Sequence, residues 1–243
     1  MKPAITVSRE DYLKAILEAQ SEGRTVIAAT LAHWLSVSPP AVSMALRRLR
    51  RDGFVEVDGD GVLRLTAAGR EAAYRTALRH HLIERMLAEV FGMPWYQVHD
   101  EAERLEHAVS PAFEALLIKK LGEQGTCPHG NSVLPEPPER RRHRGVVALS
   151  DAPEGSRCTV SSFYERDPDL LRLLHRSGVE PGGDILVVRR QERSLQVETP
   201  GGRSTVPLAA AEKVQVICHS SASDAASSQE TRPKSRHAGR SGI

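Results

Sequence analysis

The feature that most restricts the fold of this sequence is a short β-hairpin directly after an arginine-rich helix. In FVEVDGDGVLRLT, residues 54–66, apolar and polar residues alternate on both sides of two Asp-Gly pairs. Asp-Gly favours tight hairpin turns because glycine accepts positive φ angles. The preceding PPAVSMALRRLRRDG predicts a helix that is capped by Ser38, begins at Pro39 and stops at Gly53.

Two further helices are predicted upstream of this unit. Residues 9–21 carry apolar side chains at the spacing of an amphipathic helix. Thr25 is expected to cap a short second helix that ends near Leu35. Three helices followed by a hairpin is the order of a winged helix-turn-helix, which is a DNA-binding unit.

The third helix has the residue types of a helix that enters the DNA major groove. Small groups lie near its N-terminal end, where base edges are approached, and arginines follow where phosphates are neutralised. The side chains expected to contact DNA are Ser38, Pro39, Pro40, Ser43, Arg47, Arg48 and Arg51. We expect DNA shape and contacts to thymine methyl groups to supply part of the specificity. The net charge of +2 is too small to indicate nucleic-acid binding by itself.

A stripe of metal-binding residue types lies in HDEAERLEH, residues 99–107. On a helix, His99, Glu103 and His107 recur at i+4, and Glu106 lies one turn from Glu103. Carboxylates this close repel each other and resist burial, and a divalent cation removes both problems. The alternative interpretation is a solvated, charged helix face.

His80 and Glu84 repeat the i+4 spacing on a long helix predicted from Thr66 to about Gly92. If the two helices pack antiparallel, six ligand-type side chains meet. Oxygen and imidazole ligands suit Mn²⁺ and Fe²⁺, and also Zn²⁺. The remaining histidines, including His81, have no partners at this spacing and are assigned to surface or core.

The segment CPHG, residues 127–130, presents Cys127 and His129 on one sharp turn. It is either a second pair of metal ligands, which Glu84 and a C-terminal carboxylate would complete, or an ordinary loop with a cysteine. The three cysteines of the chain stand far apart, which argues against a disulfide scaffold and fits a reduced, cytosolic protein.

The chain after residue 145 has a β-rich character. Short strand-like runs are separated by PEG, EPGG and TPGG, and one helix, DPDLLRLLHRSG, interrupts them. The Pro- and Arg-rich residues 127–144 read as a linker, whose basic run at 140–144 is either solvated or in contact with phosphate. Residues 219–243 are expected to be disordered. We find no signal peptide and no apolar stretch of membrane-spanning length, so a cytoplasmic protein is expected.

The winged helix-turn-helix, RHHLIERML, VHDEAERLEHAVS and the small β domain together resemble the diphtheria-toxin-repressor family of metal-dependent transcriptional regulators. The resemblance covers residues 5 to about 218. It implies a mainly α fold with a small β domain: a winged helix-turn-helix over 5–66, a helical metal-binding and dimerisation domain over 67–126, a linker over 127–144, an SH3-like barrel similar to FeoA over 145–218, and a tail over 219–243. It also implies a homodimer that binds pseudo-palindromic operator DNA and represses metal-transport genes, without enzymatic activity and without a membrane partner.

The resemblance also assigns site residues. A primary, activating metal site would use Asp11, His80, Glu103, Glu106 and His107. A second site would use Glu84, Cys127, His129 and an acid of the SH3-like domain, either Glu165 or, as the alternative, Asp167. His99 matches an ancillary ligand of the iron-responsive branch. That branch has Met and Cys where this chain has Asp11 and Glu103, so hard oxygen ligands favour Mn²⁺, with Fe²⁺ as a second effector and Zn²⁺ as a substitute in vitro.

One departure from the family pattern is Lys14, which stands where some manganese regulators carry an acid. It argues against a binuclear primary site. A functional alternative is a winged-helix regulator that responds to a small organic ligand or to thiol oxidation, with structural carboxylates. A carboxylate-bridged metalloenzyme is disfavoured, because neither Glu103 nor Glu106 forms a Glu-x-x-His motif with His107.

Overall fold

Three hydrophobic cores follow one another along the chain in the computed structural model, which describes residues 9–132 and 137–219. The first core lies in the N-terminal head. It is enclosed by three helices and a hairpin: α1 (Arg9–Ser21), α2 (Ala28–Trp34), α3 (Pro39–Arg51), β1 (Val55–Val57) and β2 (Leu63–Leu65).

The local sequence explains most of these boundaries. Ser38 caps α3 by accepting a hydrogen bond from the backbone N–H of Ala41 at 3.4 Å, as predicted. The prediction that Thr25 begins α2 was wrong. The helix starts at Ala28, where the hydroxyl of Thr30 accepts from the backbone N–H of Ile27 at 3.4 Å. This bond gives a partner to a backbone N–H at the start of the helix, where no side-chain N-cap is present.

The hairpin packs tightly on the helix that follows it. Val55 pairs with Leu65 in an antiparallel register, as the alternation predicted. A Cβ on Gly69 would lie 2.0 Å from the carbonyl oxygen of Phe54, so only glycine lets the long helix approach the hairpin here.

The second core belongs to the helical middle region. Its helices are α4 (Ala67–Arg85), α5 (Val98–Leu105) and α6 (Pro111–Leu121), and α4 continues into a π-helical turn over Met86–Val90. Single 3₁₀ turns flank α5 at Trp95–Gln97 and Glu106–Ala108. Because α4 packs against α1, α5 and α6, it is the element that connects the head to the middle region.

The region read as an irregular linker contains a short helix, α7 (Pro138–His143), so that prediction was wrong in part. Pro138 at the first helical position suits a helix start. Residues 133–136 lie outside the described part of the chain, as do residues 5–8 and residues 220–243 of the tail predicted over 219–243. The prediction was wrong for His219, which ends a strand.

The third core belongs to the C-terminal domain. Its elements are β3 (Val146–Ala148), β4 (Arg157–Phe163), α8 (Pro168–Arg176), β5 (Asp184–Arg190), β6 (Ser194–Thr199), β7 (Gly202–Pro207), α9 (Leu208–Ala211) and β8 (Val214–His219). The strands form an antiparallel six-stranded sheet in the order β3-β8-β4-β5-β6-β7. The helix α8 was predicted from the sequence, whereas β7 and α9 were not.

The expectation of three reduced cysteines was wrong for two of them. Cys158 on β4 lies directly opposite Cys218 on β8, and the two form a disulfide across 60 residues of sequence. Strand pairing alone brings them together, so their wide spacing in the sequence concealed the bond. No described helix has both the length and the apolar character needed to cross a membrane.

Candidate metal centres and DNA-binding surface

The predicted DNA-contacting residues lie on one exposed face of the head. All seven, Ser38, Pro39, Pro40, Ser43, Arg47, Arg48 and Arg51, are exposed. Val42, Leu46 and Leu49 on the opposite side are buried in the head's core. Met44 on α3, which was not predicted to contact DNA, is also half exposed. The face therefore combines apolar groups with arginines, as a surface that enters a DNA groove requires.

The first metal-type cluster joins the head to the middle region. We call it the boundary site, and it consists of Asp11, Glu106 and His107. Nε2 of His107 lies 2.8 Å from Oδ1 of Asp11 and 3.4 Å from Oε1 of Glu106. Asp11 lies in the first turn of α1, whereas the other two residues follow α5, so the cluster joins segments far apart in sequence. Glu10, which was not predicted as a site residue, lies 3.3 Å from Nδ1 of His107.

A buried lysine stands behind this site. Nζ of Lys14, whose side chain is 2% exposed, lies 2.8 Å from both carboxylate oxygens of Glu106. Nδ1 of His80 lies 2.6 Å from Oε2 of the same carboxylate. Burial favours the protonated form of Glu106, but the bond to His80 and the charge of Lys14 outweigh it and lower the pKa of Glu106 to about 2.

Glu103 lies beside the boundary site without joining its three donor atoms. Its Oε1 is 3.9 Å from Nζ of Lys14, 3.7 Å from Nε2 of His99 and 3.5 Å from Nη1 of Arg166. His80 does not join the cluster either. Its Nε2 lies 3.0 Å from Oε1 of Glu84. Of the five predicted primary ligands, the structure brings three together and places these two next to them.

The second cluster lies between α4, α5, the CPHG loop and the end of β4, and we call it the buried site. Glu84 and His129 have fully buried side chains, with Oε1 of Glu84 3.5 Å from Nδ1 of His129. Glu165 approaches from the C-terminal domain, with Oε2 3.6 Å from Nδ1 of His129 and 3.5 Å from Sγ of Cys127. All four predicted second-site residues therefore meet.

Backbone contacts hold the CPHG loop against β4. The backbone N–H of Gly130 donates to the carbonyl of Cys127 at 2.8 Å, which closes the turn, and the carbonyl of His129 accepts from the N–H of Phe163 at 3.1 Å. Gly130 has a φ of +83°, and a Cβ there would lie 2.0 Å from the carbonyl oxygen of Ser161. This glycine is therefore needed to place Cys127 and His129 beside the C-terminal domain.

The geometry shows whether Asp167 and His81 face the buried site. Asp167 caps α8, accepting from the N–H of Leu170 at 3.0 Å, and pairs with Lys213 at 2.9 Å, so it does not face the buried site. His81 does face it: this side chain is buried, and its Nε2 lies 3.6 Å from Oε1 of Glu165. The expectation that His81 has no ligand-type partner was therefore wrong, because the docked C-terminal domain supplies that partner.

A carboxylate oxygen in the buried site, unpaired within the described part of the chain, indicates a place for a cation. Burial alone would raise the pKa of Glu84, yet the histidines His129 and His80 hold it well below its ordinary value. Burial and the two carboxylates raise the pKa of Cys127 well above its ordinary value. Among the described residues, Oε2 of Glu84 has no hydrogen-bond partner although it is buried. An orphaned carboxylate oxygen beside imidazole and thiol groups fits a divalent metal ion.

A winged helix-turn-helix whose first helix meets a cluster of metal-binding residues in the next domain defines a metal-dependent DNA-binding protein. Comparisons with known proteins agree with this class. The iron-dependent repressor N-terminal DNA-binding domain matches residues 4–63, the metal-binding and dimerisation domain of such repressors matches residues 66–135, and the FeoA domain matches residues 147–218.

Individual relatives lead to the family. The iron-dependent repressor IdeR of Mycobacterium tuberculosis is 35% identical over 221 residues, which span 85% of this chain and 95% of the relative. The diphtheria toxin repressor of Corynebacterium jeikeium is 30% identical over 220 residues, which span 82% and 91%. The chain belongs to the diphtheria toxin repressor family of metal-dependent transcriptional repressors, whose members bind operator DNA and dimerise.

Solved structures show the same three-domain architecture. A manganese-dependent transcriptional repressor in complex with manganese has a TM-score of 0.75 at 31% identity, covering 87% of this chain and 100% of that one. The manganese regulator SloR has a TM-score of 0.71 at 27% identity, covering 88% and 100%. The predicted winged helix-turn-helix, helical domain and SH3-like domain are thereby confirmed.

Proposed function

We propose that this chain represses metal-transport genes in response to Mn²⁺, with Fe²⁺ as a second effector and Zn²⁺ as a substitute in vitro. The observation that carries the proposal is the 2.8 Å approach of Asp11 to His107. It places the head's first helix and the middle region on opposite sides of one set of metal-type donors.

The donor types at the boundary site support Mn²⁺. Asp11 and Glu106 offer carboxylate oxygens and His107 offers an imidazole, and these ligands suit Mn²⁺ and Fe²⁺ better than thiolate does. Relatives with iron-dependent and manganese-dependent names both resemble the chain, so the choice of Mn²⁺ rests on these donors.

Lys14 supports a single ion at the boundary site. Its ammonium already neutralises Glu106 from the inner side, at 2.8 Å from both oxygens. A second cation on that side of Glu106 would meet the buried positive charge at close range. We therefore expect the boundary site to take one ion, held by Asp11, Glu106 and His107 with Glu103 nearby.

The packing of the head links this site to the position of α3, the DNA-reading helix. A bound divalent ion supplies the positive charge that lets Asp11, Glu106 and His107 remain together. Asp11 lies on α1, and α1 shares a core with α3, so holding Asp11 holds the reading helix. Coupling of about 1 to 3 kcal/mol between such sites corresponds to roughly 5- to 150-fold tighter DNA binding.

An apolar surface on the middle region supports the homodimer. Val90, Phe91, Phe113 and Leu116 are exposed. Beside them, Met86, Leu105 and Val109 help to line a cavity of about 200 Å³. Exposed apolar patches of this kind are typical of subunit interfaces. Two heads held by one dimer would read half-sites roughly 34 Å apart, so we expect a pseudo-palindromic operator, bound in the cytoplasm.

The C-terminal domain also contacts the head. Nε of Arg166 donates to Oε2 of Glu18 on α1 at 2.9 Å, and its guanidinium lies 5.5 Å from the ring of Trp34 on α2. Arg166 follows Glu165 directly in sequence. The residue next to a buried-site ligand therefore contacts the head. We propose that the buried site fixes the C-terminal domain in this contact.

The test is operator binding by the full-length protein, titrated with Mn²⁺, with Fe²⁺ under anaerobic conditions, and with Zn²⁺. Asp11→Ala should lose the Mn²⁺ response, whereas Asp169→Ala, whose side chain is 96% exposed on α8, should keep it. Operator binding that is unchanged by EDTA would contradict the proposal. It would favour a regulator that responds to an organic ligand or to thiol oxidation.

A further inference from the structure

The donor atoms around Glu84 form two neighbouring triangles, and Glu165 lies within 4.8 Å of the donors of both. The first is made by Nε2 of His80, Oε1 of Glu84 and Nδ1 of His99. Its sides measure 3.0 Å between His80 and Glu84, 3.1 Å between His80 and His99, and 3.1 Å between His99 and Glu84. Donors bonded at about 2.1 Å to one ion lie about 3.0 Å apart when their bonds meet at right angles.

The second triangle is made by Sγ of Cys127, Nδ1 of His129 and Oε2 of Glu165. Its sides measure 3.7, 3.5 and 3.6 Å. Bonds of about 2.1 to 2.3 Å at tetrahedral angles separate their donor atoms by roughly 3.4 to 3.7 Å. Nε2 of His81, at 3.6 Å from the other oxygen of Glu165, supplies a fourth donor on this side.

Glu84 connects the two triangles. Its Oε1 belongs to the first, and the same oxygen lies 3.5 Å from Nδ1 of His129 in the second. Its Oε2 is fully buried and lacks a hydrogen-bond partner within the described residues. A buried carboxylate oxygen without a partner is costly, and coordination of a cation would satisfy it.

The number of donors also exceeds the needs of one ion. Seven side chains face this volume, whereas an octahedral ion takes six ligands and a tetrahedral ion takes four. All but His99 of these side chains come from α4, the CPHG loop or the turn after β4, and the packing of these elements fixes their positions.

We propose that the buried site is a dinuclear metal centre in which Glu84 bridges two divalent ions. His80 and His99 hold one ion, and Cys127, His129 and Glu165 hold the other, with His81 as an additional ligand. This inference deepens the proposed metal regulation and rests on it. The chain then holds two ions in the buried site besides the single ion of the boundary site.

The thiolate makes the two positions chemically different. The position beside Cys127 has a soft donor and binds Zn²⁺, Co²⁺ or Fe²⁺ more tightly than Mn²⁺, so Mn²⁺ fills it only when it is the sole metal supplied in excess. The position between His80 and His99 has only nitrogen and oxygen donors and suits Mn²⁺ directly. Nδ1 of His80 lies 2.6 Å from Glu106, so the first position is also hydrogen-bonded to the boundary site.

The experiment uses the full-length protein, freed of metal with a chelator and dialysed against Mn²⁺. The bound ions are counted by mass spectrometry, and low-temperature electron paramagnetic resonance detects magnetic exchange between neighbouring ions. The wild type should bind one more ion than His99→Ala and show an exchange-coupled spectrum that this variant lacks. His143→Ala, which removes an exposed histidine of α7, should behave as the wild type.

Cobalt tests the two triangles separately. The thiolate-to-Co²⁺ charge-transfer band should appear in the wild type and in His99→Ala, and it should be absent in Cys127→Ser. An uncoupled wild-type spectrum would overturn the dinuclear centre. Because the spectrum is recorded on the unmodified protein, a misfolded variant does not decide the outcome.

Failure of this inference is distinct from failure of the proposed function. If operator binding still requires Mn²⁺ but the spectrum is uncoupled, only the dinuclear centre is overturned. If the coupled spectrum is present but EDTA leaves operator binding unchanged, the dinuclear centre stands as a structural site, and the metal-dependent control of DNA is contradicted.

Discussion

The boundary site and the buried site contain similar residue types but differ in solvent exposure and in the elements they join. At the boundary site, the side chains of Asp11 and His107 are 15% and 29% exposed and only Glu106 is buried, whereas those of Glu84 and His129 in the buried site are fully buried. A charged side chain near solvent can change its partner at low energetic cost. A buried charged side chain cannot, because losing its partner leaves the charge without compensation. The difference supports the proposal that the boundary site senses metal and that the buried site holds the C-terminal domain in place.

The largest expected effect comes from Glu84→Ala. This change leaves the histidines His80 and His129 buried without the carboxylate that pairs with them, and breaking such a buried pair destabilises a protein by about 3 to 5 kcal/mol. Urea unfolding of the metal-free protein measures it. Glu89→Ala, which removes a half-exposed glutamate a few residues further on, should change the free energy of unfolding by less than about 1 kcal/mol. Equal effects of the two changes would contradict the conclusion that the buried site stabilises the fold through Glu84.

A smaller effect, on function instead of stability, is expected from His107→Ala. Loss of one boundary-site donor should weaken operator binding in Mn²⁺ by roughly 5- to 150-fold. The free energy of unfolding without metal should change by less than about 1 kcal/mol, because the side chain is partly exposed. Fluorescence anisotropy with labelled operator measures the affinity. A large loss of stability would show that this site is structural as well.

An acid-stability experiment examines Glu106, the boundary-site carboxylate that contacts His80 of the buried site. The pKa of Glu106 falls from 4.5 to about 2 on folding, so its contribution is present above pH 4.5 and is lost as the pH falls towards 2. His80, whose pKa is raised from 6.5 to about 10, is protonated throughout this range and adds no slope. We expect a loss of about 2 kcal/mol in unfolding free energy between about pH 5 and 3 from Glu106. Glu106→Gln should reduce the slope, and an unchanged slope would contradict the assignment.

The smallest effect is expected from Asp167→Ala. Loss of the cap of α8 should lower the free energy of unfolding by about 1 kcal/mol. The number of bound metal ions should stay the same, because Asp167 does not face the buried site. Ion counting before and after the change measures this. A lost ion would restore Asp167 as the ligand in place of Glu165.

Sequence patterns within single elements determined a large part of the fold. The cap at Ser38, the hairpin after α3 and the apolar spacing of α3 depend on interactions within a few residues, and such interactions are readable from neighbouring letters. The stripe containing Glu106 and His107 was visible because its residues recur at helical spacing. In the structure, however, α5 ends at Leu105, and Glu106 and His107 lie in the 3₁₀ turn that follows. The resemblance to a family then supplied the ligands that no single element reveals, among them Asp11 and Glu165.

The tertiary structure alone decided which distant side chains meet. It gave His81 a carboxylate partner, turned Glu103 towards Arg166, paired Cys158 with Cys218, and grouped the donors around Glu84 into two triangles. Each result depends on how one domain docks on another or on which strands become neighbours. Many weak contacts together set such arrangements, so no local pattern of residues records them.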